Sequence, residues 1–162
     1  MHGQSICVQP NFAWRCLTAR ILKNFHEFSL NATPIKAASK MKTVLLVDDD
    51  PATIEAWTLC MESQDCKVLT AFDGNGALVL LGEHSVDIVV SDWMMPGLGG
   101  ALLCQTMKTN SAFAHIPFLM ISGHPRPPAF VNYDGYLQKP VEAEALLSAV
   151  DRLCAAKRSR PF

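Results

Sequence analysis

At 162 residues and a formal charge of −1, the chain is one ordinary domain with extra segments, and no global field draws it to nucleic acid or a membrane surface. Almost half of it is apolar (49%), enough for a substantial core, yet no apolar run reaches the ~18 residues a membrane span needs. The six cysteines form no C-x-x-C pair and mostly fall at apolar-periodic positions, which reads as reduced, buried thiols in a cytoplasmic protein rather than a disulfide frame or zinc site.

Residues 1–40 carry five Lys/Arg against one Glu and show no sustained periodicity, although 14–28 fits a short basic amphipathic helix. The composition superficially resembles an organellar transit peptide. The plainer expectation is a disordered leader or a mis-assigned start, because Met41-Lys42-Thr43 runs straight into a strand. That first strand is Thr43 to Val47. Asp48-Asp49-Asp50 follows, with Asp50 placed to cap a helix that Pro51 opens. Ile54, Trp57 and Met61 repeat at helical spacing, so the helix runs to about Gln64, with Trp57 facing the core. Cys66 to Thr70 is a second strand, Asp73-Gly74-Asn75-Gly76 a turn, and Ala77 to Leu81 a second helix ending near Gly82.

Val86 to Ser91 is an apolar run broken only by Asp87, here a strand-start residue. Such runs form strands buried on both faces of a parallel sheet. Asp92 then stands at the strand's carboxyl end, where Trp93 is partly exposed and Pro96, Gly97, Gly99 and Gly100 stop the run. Ala101 to Lys108 is a third helix, and Ile116 to Ile121 a fourth strand closing at Ser122-Gly123. Pro125, Pro127 and Pro128 exclude an uninterrupted helix next. Gly135 to Gln138 is a short fifth strand, Lys139-Pro140 a break, and Val141 to Ala155 an amphipathic helix before a basic, solvated tail at 157–162.

Strands alternating with helices call for one doubly wound parallel α/β sheet. Right-handed crossovers put the ends of strands one, three, four and five on one rim, carrying Asp48, Asp49, Asp50, Asp92, Ser122 and Lys139. Crowded carboxylates repel unless a cation sits among them. Hard oxygen ligands with open positions suit Mg²⁺, which completes its shell with phosphate oxygens. With the hydroxyl of Ser122 and the ammonium of Lys139, the rim is a site for a phosphoryl group, and a carboxylate can be the nucleophile that takes it.

Val47-Asp48-Asp49-Asp50-Pro51, Ser91-Asp92-Trp93-Met94-Met95-Pro96-Gly97, Leu119-Met120-Ile121-Ser122 and Tyr136-Leu137-Gln138-Lys139-Pro140 resemble the four signature segments of receiver domains of bacterial two-component response regulators. Ala71-Phe72-Asp73-Gly74 with Ala77-Leu78 is similar to the family's second strand-to-helix turn, and the resemblance spans about 41–156. It implies a five-stranded, flavodoxin-like sheet in the order 2-1-3-4-5. It implies Asp92 as phosphoacceptor, and Asp48, Asp49, Asp92 and the backbone carbonyl of Met94 as Mg²⁺ ligands, Asp48 acting more through water. Ser122 and Lys139 would bind phosphoryl oxygens, Ser122 and Tyr136 would form a switch pair, and Lys139–Pro140 would be cis. Met94 and His124 fall where relatives tune dephosphorylation, and an apolar Met94 orients no water.

The implied function is a phosphoacceptor in a phosphorelay, an enzyme only toward its own phosphorylation and dephosphorylation. Its partners would be a sensor histidine kinase or phosphotransfer protein and an unknown downstream protein, with no direct nucleic-acid or membrane contact. The six residues after Ala156 are too few for an output domain, so output by protein contact or phosphoryl relay is expected. Only seventeen positions separate Ser122 from Lys139, fewer than in most relatives, so the fourth helix is expected to be shortened or absent. Two rivals stay open: a Mg²⁺-dependent aspartyl-phosphate phosphatase, disfavoured by Met94 where a second Asp belongs, and a binding module that is never phosphorylated. Tyr136 also has a plainer reading as a packing aromatic.

Overall fold

The computed structural model describes residues 41–125 and 130–158, the side chain at 158 excepted. The expectations for residues 1–40, for Pro127 and Pro128, and for the tail at 159–162 lie outside the described residues.

The elements are β1 (Thr43–Val47), α1 (Pro51–Glu62), β2 (Lys67–Ala71), α2 (Gly74–Glu83), β3 (Ile88–Asp92), α3 (Gly100–Thr109), β4 (Phe118–Ser122), β5 (Gly135–Gln138) and α4 (Ala143–Arg158). All strand pairs are parallel and the order is β2-β1-β3-β4-β5. The expected flavodoxin-like architecture is therefore the observed one.

Every residue of β3 and β4 is buried, as their unbroken apolar runs require. The period of two divides the strand residues between two half-cores. Leu45, Val47, Val89 and Met120 pack with α2 and α3 through Leu81, Leu103 and Met107. Val44, Leu46, Val90 and Ile121 pack with α1 and α4 through Ile54, Met61, Leu146 and Val150. Cys60, Cys66, Cys104 and Cys154 are buried, as their apolar spacing suggested. No described helix is long and apolar enough to cross a membrane.

Three boundaries differ instructively. α2 begins at Gly74, inside the expected turn, because the Asp73 side chain caps it by accepting from the Gly76 N–H at 2.7 Å. β3 runs to Asp92, whose register partner is Ile121, so the candidate carboxylate belongs to the strand rather than to the loop after it. α4 starts at Ala143 and extends beyond Ala155.

Between Ser122 and Gly135 the described residues contain no helix. The returning chain is instead fastened to α3. Val131 is buried in the core, and the Cys104 Sγ donates to the Asn132 carbonyl at 3.6 Å. Lys108 Nζ pairs with Asp134 at 2.6 Å and donates to the Ile116 carbonyl at 3.2 Å. Asp134 also accepts from the Phe118 N–H at 2.8 Å. Asp87 likewise ties β3 to β1, accepting from the Thr43 N–H at 2.9 Å.

Candidate functional site

The parallel sheet brings the carboxyl ends of β1, β3, β4 and β5 to one rim. Asp48 follows β1 and continues its ladder, donating its N–H to the Ala71 carbonyl at 3.2 Å. Lys139 continues β5 in the same way, donating its N–H to the Ser122 carbonyl at 2.8 Å. The Lys139–Pro140 peptide bond is cis.

Three charged groups meet there. Lys139 Nζ lies 2.5 Å from Asp92 Oδ1 and 3.0 Å from Asp48 Oδ2. Both carboxylates are almost wholly buried, with side-chain exposures of 2% for Asp48 and 8% for Asp92, against 34% for Lys139. Their other oxygens are also engaged. Asp48 Oδ1 accepts from the Asp50 N–H at 2.9 Å, and Asp92 Oδ2 from the Met94 N–H at 2.6 Å.

Burial pushes Asp48 above the ordinary carboxylate range, more than the Asp50 N–H and Lys139 pull it down. Burial would by itself lower the Lys139 ammonium, but hydrogen bonds to Asp92 and Asp48 and their charges outweigh it, so the ammonium is held above its usual value. The pair is thus a buried acid strained toward its neutral form, kept ionic by a lysine that gains from it.

Asp50 is the N-cap expected of it: it accepts from the Ala52 and Thr53 N–H groups at 3.1 and 3.3 Å and from the Thr53 hydroxyl at 2.7 Å. The Thr53 hydroxyl foremost holds its carboxyl below the usual range. Asp49 is exposed and stands apart from the Asp48–Lys139–Asp92 cluster.

Among the described residues, no three His, Cys, Asp or Glu side chains converge on one point that could hold a metal. The donor chemistry nonetheless fits a hard cation. Two carboxylates already share one ammonium, and the trio has a net charge of −1. Met94 presents its backbone to Asp92 while its side chain is exposed.

Ser122 is buried, and its Oγ accepts from the His124 N–H at 3.1 Å. The Tyr136 hydroxyl donates to the His124 carbonyl, and its half-buried ring packs on the core beside Tyr133. The His124 ring meets Trp93 edge to face, with centroids 5.3 Å apart.

Several contributors escaped the sequence reading. Gly100 is one. A Cβ there would stand 1.9 Å from the Asp92 carbonyl oxygen, so only glycine lets α3 begin against the back of β3. Ser91 is fully buried and donates its hydroxyl to the same carbonyl at 2.8 Å. Gly74 is another: a Cβ there would meet the Leu98 carbonyl at 2.4 Å, so the loop after Asp92 rests on the start of α2. The glycines are visible in the sequence as stops, but the contact each permits is not.

With this geometry in view, the comparisons are decisive. The family described as response regulator receiver domain matches residues 44–151. The chain belongs to the receiver-domain family of response regulators. It is 33% identical over 112 residues to protein PilG of Pseudomonas aeruginosa, a match covering 66% of this chain and 83% of PilG. It is also 33% identical over 112 residues to the heme response regulator HssR of Staphylococcus epidermidis, but spans only 49% of that longer protein.

Among solved receivers, it is similar to the chemotaxis response regulator CheY4 of Vibrio cholerae. That match has a TM-score of 0.66 and 28% identity, over 70% of this chain and 99% of CheY4. The receiver domain of the sensor histidine kinase PA1611 of P. aeruginosa shares the fold, with a TM-score of 0.67 and 18% identity over 72% of this chain and 99% of that one. That receiver has a magnesium ion coordinated in its active-site cleft. Receiver domains are modules of two-component signalling.

Proposed function

We propose that this receiver is a phosphoacceptor that takes a phosphoryl group from the phosphohistidine of a sensor histidine kinase or phosphotransfer protein onto Asp92. One observation carries the reading: a single, partly exposed ammonium joins buried Asp92 to a second buried carboxylate at the carboxyl rim of the sheet. An Asp92 oxygen attacks phosphorus, the P–N bond to the donor imidazole breaks, and its electron pair returns to the ring nitrogen. Lys139 lies on Asp92 Oδ1 in the unphosphorylated site, and as the phosphoryl group arrives the ammonium shifts onto one of its oxygens. The hydroxyl of Ser122 takes another.

Asp48, Asp49, Asp92 and the Met94 carbonyl would hold Mg²⁺, whose charge would offset that of the incoming oxygens. The product carries about −1.5 to −2 charges where the carboxylate carried −1. Drawing in Ser122 withdraws its bond from the His124 N–H, which is the start of a change passed to Tyr136 and read by a downstream protein through contact. Self-hydrolysis is slow, since the exposed thioether of Met94 offers an attacking water no acid or base. Catalysis is confined to the chain's own phosphorylation and dephosphorylation, in the cytoplasm.

The test is intact mass after incubation with Mg²⁺ and acetyl phosphate. One added phosphoryl group, absent from Asp92→Asn, is the expected result. No modification would leave a binding module that is never phosphorylated, and rapid turnover of phosphate esters would make the chain a phosphatase.

A further inference from the structure

Lys139 has a third neighbour, which neither the family resemblance nor the charge pattern pointed to. Its Nζ lies 5.8 Å from the centroid of the Trp57 ring, inside the range at which a cation is attracted to an indole face. Trp57 sits on α1, half-buried, and packs on the core beneath α1 and α4. The ammonium is therefore bounded by Asp48 on one side, Asp92 on another and the indole on a third.

These contacts constrain it differently. A carboxylate oxygen fixes the ammonium at one distance and direction. The π face attracts it over an area and is indifferent to rotation of its three N–H groups. A lysine on four methylenes has much rotamer freedom to lose, and an indole wall removes it without taking a hydrogen-bond donor.

We propose that Trp57 is a positioning residue for Lys139: it keeps the ammonium beside the carboxylates while letting it slide from Asp92 Oδ1 to a phosphoryl oxygen. The inference rests on the phosphoacceptor reading for what Lys139 moves toward, and on the observed geometry alone for what holds it. Leucine at 57 would fill much of the space but offer no π face, whereas phenylalanine would keep a smaller one.

The experiment uses the full chain with Trp57→Leu, Trp57→Phe, Lys139→Ala and the double variant Trp57→Leu/Lys139→Ala. Thermal melts first confirm that each folds. Phosphorylation by acetyl phosphate is followed by intact mass at saturating Mg²⁺. Trp57→Leu should slow it by about two- to fivefold, the range a partly exposed cation–π contact supplies. Trp57→Phe should recover at least half of the loss, and the leucine substitution should have no further effect once Lys139 is alanine. Equal loss in both single Trp57 variants, or an undiminished effect without Lys139, would overturn the proposal by making Trp57 mere packing.

A second readout does not need phosphorylation. The Lys139 Hε protons, seen in a ¹H–¹³C spectrum, should be shifted upfield by the indole ring and return toward ordinary lysine values in Trp57→Leu. If wild-type protein takes no phosphoryl group, the phosphoacceptor reading fails, and this shift alone decides whether Trp57 holds Lys139. Its absence in the wild type would sink the inference.

Discussion

Replacing Lys139 with methionine isolates the electrostatics of the rim. Methionine keeps most of the side-chain length beside Trp57 and removes the charge together with its N–H donors. It leaves Asp48 and Asp92, both almost wholly buried, without the cation they share. Removing one partner of a fully buried pair costs about 3–5 kcal/mol. Lys139 is 34% exposed, so water already screens part of the interaction, and we scale the loss to about 1–3 kcal/mol. With a urea m-value of about 1.5 kcal/mol/M, the midpoint at pH 7 falls by roughly 0.7–2 M.

The pH dependence has a definite sign. Lys139 is raised above 10.5, so its stabilising contribution is complete below that value and is lost only as pH climbs through the elevated one. Asp48 is raised above 3.8, so folding binds protons just above that value, and the cost of its charge is incurred as pH rises through the elevated one. Without Lys139 both carboxylates are uncompensated. The deficit should be largest near neutrality and shrink as pH falls into the carboxylate range. Added Mg²⁺ should narrow it, because the oxygens that held the ammonium become free. Equal stability of variant and wild type from pH 4 to 8 would refute the shared-cation geometry.

Three further outcomes follow from the packing. Gly100→Ala drives a methyl into the Asp92 carbonyl and should cost about 1–3 kcal/mol, whereas Gly82→Ala, with open space around it, should be neutral or stabilising by about 0.5–1 kcal/mol; thermal melts compare them. The Cys104 thiol, fully buried and pushed up to about 11 by its burial, should resist iodoacetamide in the folded protein at pH 8 and react in urea, as peptide mapping would show. Tyr136→Phe removes the hydroxyl from the His124 carbonyl and should cost about 0.5–1.5 kcal/mol in denaturant unfolding; no change would mean that the bond is absent in solution.

Much of the fold was legible because it is written in local signals. Unbroken apolar runs gave the two central strands, Asp50 before Pro51 gave a capped helix, and alternation of elements gave the parallel sheet. The candidate site was legible because parallel strands end on one rim, so residues distant in sequence share a place whenever each follows a strand. Asp48 and Lys139 are 91 positions apart and hydrogen-bonded for that reason. What stayed hidden depends on the third dimension. Trp57 repeats with Ile54 and Met61, and that periodicity assigns it to the core; it cannot say that the ring also reaches the ammonium of Lys139, just past β5. Asp49 is as acidic as Asp48, and only folding separates them, burying one and exposing the other.

The proposed switch pair shows the same limit in sharper form. The resemblance pairs Ser122 with Tyr136 as a switch. In the resting structure they are joined by one residue, not by each other: His124 gives its N–H to Ser122 and its carbonyl to Tyr136. Both links are backbone links, so no residue type at position 124 announces them. They also tie the two ends of the proposal together. If Ser122 turns to a phosphoryl oxygen, the His124 N–H loses its acceptor, and the peptide can shift only by disturbing the carbonyl that holds Tyr136. The far end of the same connection is fixed on α3 by Lys108 with Asp134 and by Cys104 with Asn132. The His124 peptide is where the chain leaving β4 would report the state of Asp92.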